Sequence, residues 1–130
     1  MNDWRTRAVS PEDAVSLVKS GMNVFVHGAA ATPTPLLDAL SAREDMSGVC
    51  LYHLHTCGSA DFAAPECRDR IRSVSLFTGA PVRGAIDRGD ADFIPIFLSD
   101  IPSLFLTGQV ALDAALLQLP PPDAHGYCTL

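Results

Sequence analysis

Short apolar runs alternate with capped helical segments along the whole chain, and this alternation constrains the fold more than any single motif. "SPEDAVSLVKSG" offers Ser10 as a cap, Pro11 at the first helical position and Asp13 where a capping-box acid would stand, and Gly21 closes it. "MNVFVHG" then reads as a β-branched, aromatic strand that runs into Gly28. After the small-residue turn "GAAATP", Thr32 and Pro33 repeat the cap-and-proline signal, and Leu36, Leu37 and Leu40 face inward from the helix they start. "GVCLYHLHT" sets Val49, Leu51 and His53 on one strand face and Cys50, Tyr52 and Leu54 on the other. Residues 57–70 read as irregular, with a short helix near Pro65. "RSVSLF" is a strand, "PVRGAIDRG" a helix ending at Gly89, and "ADFIPIFLS" a strand; Ser99 and Asp100 are placed to cap the helical "IPSLFLTG". "ALDAALLQL" is helical in composition, yet its place before "PPPD" suits a strand, assigned to 114–119. Strands separated in this way by helices predict an α/β fold: an open, mainly parallel sheet with helices on both faces.

Totals narrow the function. The chain has 130 residues, 48% of them apolar and 18% charged, which suits one globular unit with a core of its own. A net charge of −6 argues against nucleic-acid binding, because phosphates demand a basic face; the nearest approach to one, "RDRIR" at 68–72, is interrupted by Asp69. No apolar stretch reaches membrane-spanning length, so no membrane partner is expected. "MNDWRTRAVSPED" carries no apolar segment of the secretory kind, which makes the cytoplasm the expected compartment. Cys50, Cys57, Cys67 and Cys128 form no CxxC pair and no zinc spacing, so reduced thiols are expected, several of them acting as small core hydrophobes.

Ligands of open α/β sheets bind beyond the carboxyl ends of the strands, a rule that selects "HGAAATP", "HTCGSADF" and "FLSDIP". The first lets a ligand approach the backbone ahead of a helix N-terminus, although it is neither a P-loop nor GxGxxG. Other chemistry-bearing residues have plainer readings. His53 and His55 share a strand face without a third metal ligand, so core packing or a loop hydrogen bond is expected, and no metal site. Cys57 has no local base and reads as a small buried thiol. Ser99 reads as a helix cap. Glu12, Glu44 and Glu66, the only glutamates, all look solvated. The residues alone therefore point to a ligand-binding α/β unit without a catalytic constellation of its own.

Five features in order carry a family resemblance: the small-residue turn with Thr-Pro in "VFVHGAAATPTPLLDAL", a Val-Arg helix, a Gly-Asp-Ala-Asp turn, an "FLSDIP" strand end, and the "PPDAHGY" loop. Together they resemble the N-terminal half of the acetyl-CoA hydrolase/transferase family, which includes the 4-hydroxybutyrate, acetate and succinate CoA-transferases. The resemblance implies two similar α/β domains with the active site in the cleft between them. It also implies a two-step exchange in which a glutamate attacks the acyl-CoA, an enzyme-bound glutamyl-CoA thioester forms, and a second carboxylic acid takes over the CoA. That glutamate and the glycine-rich CoA-binding segments belong to the family's C-terminal domain, so no catalytic residue is assigned within residues 1–130. What carries over is a cleft wall: Gly28, Ala29, Ala30, Ala31, Thr32 and Pro33 as the turn facing the acyl or carboxylate substrate, with Ser99, His125 and Gly126 in loops near the domain junction. Relatives often have Ser or Gly where Ala29, Ala30 and Ala31 stand, so an apolar acyl pocket is implied.

On this reading the partners are an acyl-CoA, a small carboxylic acid and the missing C-terminal domain, with a homo-oligomer as the usual assembly. No permanently bound cofactor is implied; the coenzyme A thioester is substrate. "LQLPPPDAHGYCTL" would lead toward the second domain, making the ending a truncation, and an apolar face should lie open where that domain docks. Two other readings remain open: a stand-alone, non-catalytic α/β module that binds a nucleotide, an acyl ligand or a partner protein, and an unrelated Rossmann-like enzyme using Cys57.

Overall fold

The computed structural model describes residues 4–129. In chain order the elements are α1 (Pro11–Val15), β1 (Asn23–Val26), α2 (Thr34–Ala42), β2 (Val49–His53), β3 (Ile71–Ser75), α3 (Ala80–Asp87), β4 (Ala91–Phe93), α4 (Ile101–Leu106) and β5 (Ala114–Leu116). Short 3-10 turns at Trp4–Arg7, Asp61–Ala63, Pro65–Cys67 and Leu98–Asp100 complete them. The strands form one sheet in the order β4-β3-β2-β1-β5, and every neighbouring pair is parallel. The expected α/β architecture is therefore what forms.

Alternation along the strands sorts side chains between two faces. Val24, Val26, Val49, Leu51 and Ile71 are buried on one face with Val15 of α1, Leu37 and Leu40 of α2, and Val82 and Ala85 of α3. The opposite face is covered by α4, where Leu76, Ile101 and Leu104 pack with Leu54, Ile94, Ile96, Phe105 and Val110. Phe25 and Tyr52 both meet the Phe105 ring edge-on, at 5.8 and 6.3 Å between centroids.

Ser10 caps α1 as the sequence implies: its Oγ accepts from the Asp13 N–H at 3.0 Å. Ser10→Ala should cost about 1 kcal/mol of stability, read as a lower urea midpoint with unchanged slope. The second cap signal misleads. Helix α2 starts at Thr34, with Pro33 as N-cap residue and no side-chain cap, while the Thr32 hydroxyl is engaged elsewhere. Asp100 stands at the N-cap position of α4 but makes no side-chain cap bond, and Ser99 lies one residue before it, its hydroxyl donating to Asp100 Oδ1 at 3.2 Å. The strand expected over "ADFIPIFLS" pairs only at Ala91–Phe93, because beyond it Ile94 and Ile96 turn onto α4. Strand β5 is likewise shorter than the 114–119 assignment.

Charge is neutralised locally. Asp90 is buried, receives Arg68 and Arg88, and is held below the usual carboxylate range by both guanidiniums. Arg72 grips Asp92 through both carboxylate oxygens, at 2.5 and 2.6 Å. Arg70 donates to the Ser41 and Arg43 carbonyls, so "RDRIR" is structural wiring and no phosphate-facing patch. Among the described residues no helix is long and apolar enough to cross a membrane.

Candidate functional site

The sheet order reverses direction at β1. From β1 the chain steps through β2, β3 and β4 in one direction, with α2 and α3 on one face, then returns along α4 on the other face to β5 on the far side of β1. The winding reverses between β1 and β5, and in open α/β sheets ligands bind beyond the carboxyl ends of the strands at such a point. Turn 28–33 leaves β1 at that point.

The turn is built from its own backbone. Ala31 donates to the Gly28 carbonyl at 3.1 Å and Thr32 to the Ala29 carbonyl at 3.2 Å. Ala29 adopts a left-handed conformation, φ 52°, which costs an alanine about 1–2 kcal/mol. Its N–H donates to His55 O at 2.8 Å, and it forms a parallel bridge with Thr56. The Thr32 hydroxyl donates to Ala29 O at 2.7 Å and accepts the Cys57 N–H at 3.0 Å. Turn 28–33 and segment 55–57 are thus stitched into one platform, which is why Thr32 and Pro33 are buried.

Two glycines make the close approach possible. A Cβ on Gly28 would stand 2.6 Å from His55 O, and one on Gly79 would stand 2.9 Å from His55 Cβ. The exposed His55 ring packs edge-on to Phe77, at 5.5 Å between centroids. Leu54, His55, Phe77 and Leu98 line a hollow of about 100 Å³.

Of the residues expected at a site, Gly28, Ala29, Ala30, Ala31, Thr32 and Pro33 form this platform, and Ser99 follows directly on Leu98 of the hollow. His125 and Gly126 lie in an exposed turn closed by Asp123, whose Oδ1 accepts from the His125 and Tyr127 N–H groups. Cys57 is exposed, contrary to the buried thiol expected, because its N–H is tied to Thr32 while its side chain leaves the core. Cys67 is the buried one, and burial raises its thiol pKa.

His53 is a core residue, as expected. Fully buried, it donates from Nδ1 to Leu54 O, accepts the Ser73 hydroxyl at Nε2 (2.8 Å), and meets the Phe62 ring edge-on. Burial pushes its pKa down, the Leu54 hydrogen bond opposing this only in part, so the ring is neutral. Among the described residues no group of three or more His, Cys, Asp or Glu is placed to hold a metal ion. Glu12, Glu44 and Glu66 are exposed, on α1, after α2 and in the Pro65–Cys67 turn, as the sequence implied.

The platform thus offers backbone donors, small side chains and no carboxylate nucleophile. The chain matches the acetyl-CoA hydrolase/transferase N-terminal domain over residues 1–130. It belongs to that family. A succinyl-CoA:acetate/propanoyl-CoA:succinate CoA transferase of Fasciola hepatica is 44% identical over 126 residues, covering 95% of this chain and 26% of that protein. The 4-hydroxybutyrate coenzyme A transferase of Clostridium kluyveri is 31% identical over 127 residues, covering 97% of this chain and 30% of that one. RipA from Yersinia pestis shares the fold with a TM-score of 0.82 at 28% identity, over 92% of this chain and 30% of its own. The chain spans between a quarter and a third of the length of these relatives, less than the half that the resemblance suggested.

Proposed function

We propose that this chain forms one wall of the active-site cleft of a cytoplasmic, homo-oligomeric enzyme that moves CoA between an acyl-CoA and a small carboxylic acid. The platform 28–33 faces the acyl or carboxylate substrate. The glutamate that forms the glutamyl-CoA thioester comes from polypeptide outside these 130 residues. One observation carries the reading: the reversal point of the sheet presents a bare backbone turn, and all three glutamates are exposed away from the strand ends that form it. A cleft wall needs a ligand surface without a nucleophile.

The apolar surface supports the same reading. Beside the edge strand β5, Phe25, Ile101, Pro102, Phe105, Leu112 and Ala115 line a groove of about 320 Å³, and Leu106 nearby is 86% exposed. Monomeric soluble proteins rarely leave contiguous apolar surface open, and a second domain would cover it.

Incubating the 130-residue chain with acetyl-CoA and succinate should give no CoA exchange above background. Intact-mass measurement should find no adduct of CoA mass on the chain. Turnover by this chain alone, or an adduct on Glu12, Glu44, Glu66 or Cys57, would sink the proposal and favour the Cys57 enzyme or a self-sufficient one. Micromolar binding of CoA itself without any added domain would favour the stand-alone module instead.

A further inference from the structure

Phe77 and Leu98 stand 49% and 56% exposed, although both are large and apolar. Such surface costs free energy unless something covers it, so its position carries information. The two side chains come from different segments. Phe77 lies two residues beyond β3, and Leu98 opens the Leu98–Asp100 turn that leads into α4. They meet Leu54 and His55, which follow β2, around the hollow of about 100 Å³. Leu54 ties that hollow to the smaller core cluster, where it packs with Leu76, Ile101 and Leu104. The hollow therefore lies at the carboxyl ends of β2 and β3, the end of an α/β sheet at which ligands bind.

His55 joins this hollow to turn 28–33. Its carbonyl accepts the Ala29 N–H at 2.8 Å, and the same residue lines the hollow, its ring edge-on to Phe77. The join is tight on both sides: a Cβ on Gly28 would meet the His55 carbonyl, and one on Gly79 would meet the His55 Cβ. Turn and hollow are thus one residue apart, a span that a ligand of a few carbons covers. The turn offers backbone polar groups, whereas three of the four residues of the hollow are Leu or Phe. Polar at one end and apolar at the other, the pair suits an acid with a hydrocarbon chain. Size sets the length of that chain. A water-sized group occupies about 30 Å³, so the hollow holds about three carbons, whereas a benzene-sized ring needs about 150 Å³. A larger hollow of about 250 Å³ beside α3 and β4 suits a bare alkyl chain less, because Arg83 and Asp87 line it together with Ile86 and Phe93.

We propose that this hollow is the acyl-chain site of the enzyme: Leu54, His55, Phe77 and Leu98 take the short alkyl chain of the acid whose carboxylate meets turn 28–33. The inference rests on the cleft-wall reading above and adds to it the length of chain accepted and the residues that set it.

The test is an NMR titration of the isotope-labelled chain with acetate, propionate, butyrate and cyclohexanecarboxylate, following backbone amides and leucine methyl groups together. The amides of residues 28–32 and the methyls of Leu54 and Leu98 should shift on one saturation curve. Affinity should rise roughly fourfold with each methylene from acetate to butyrate, the worth of burying one CH2, and cyclohexanecarboxylate should bind more weakly than butyrate. Leu98→Ala opens the hollow and should bring cyclohexanecarboxylate level with butyrate or above it. Leu106→Ala, also at an exposed position but on α4, should leave every affinity within twofold. The series in the unaltered chain does not depend on how either variant folds. If the turn amides shift while the Leu54 and Leu98 methyls stay silent, the hollow is not the acyl site and the cleft wall survives. Methyl shifts without amide shifts would break the link to the turn, and shifts of Leu112 beside β5 in their place would move the chain elsewhere; either result overturns the proposal. If no acid moves either set, both readings fall.

Discussion

His53→Ala should destabilise the chain by about 3–5 kcal/mol, the loss typical of deleting a large, fully buried ring. The ring fills the space between β2 and Phe62, so its removal leaves a cavity. It also orphans the Ser73 hydroxyl and the Leu54 carbonyl, each now satisfied by an imidazole nitrogen. Ser73→Ala removes the smaller partner and should cost about 1 kcal/mol. Urea unfolding of the two variants and of their combination separates cavity from hydrogen bond. If His53→Ala costs no more than Ser73→Ala, the ring is not the core element described here.

The same residue fixes a pH dependence. Burial lowers the folded-state pKa of His53 below its ordinary 6.5, so the unfolded chain takes up a proton at a higher pH than the folded one. Stability from this group is complete above the unfolded value and falls as pH drops below about 6.5, by at most about 1.4 kcal/mol per pH unit, until the folded ring also protonates. His53→Gln, which cannot titrate, should flatten the stability profile between pH 6.5 and 5. The wild-type slope persisting in that variant would assign the effect to another group.

Gly28→Ala should cost about 1–3 kcal/mol and remove the carboxylate binding proposed for the platform. The new methyl would stand 2.6 Å from His55 O, and the atom in the way is backbone, which cannot swing aside as a side chain can. To relieve the clash, turn 28–33 must part from segment 55–57, breaking the Ala29 N–H to His55 O bond and straining the Thr32 link to Cys57. Gly58→Ala is the matched control. It has a left-handed φ of 97° but nothing within 4 Å of its Cβ, so it carries backbone strain without a clash. Binding should survive at Gly58→Ala and be lost at Gly28→Ala. Equal binding in both variants would show that the close approach of the two segments is not what shapes the site.

Much of this architecture was legible in local pattern. Period-two alternation in "VCLYH" placed Val49, Leu51 and His53 on the buried face because a strand offers only two faces and one must meet the core. The Ser10-Pro11 start of α1 was legible because a cap acts over three residues and needs no distant partner. Thr32 followed by Pro33 shows the limit of that logic. Read locally it is another cap, yet in the fold its hydroxyl ties Ala29 to Cys57, 25 residues away, and that distant pairing outcompeted the helix. Cys57 became exposed through the same link.

The α/β class and the turn after β1 follow from the sequence itself, since each rests on residue types within a few positions of one another. Strand order was decided only by the tertiary structure, because parallel pairing joins residues far apart and leaves no local trace. From that order come the reversal point between β1 and β5 and the position of turn 28–33 beside it.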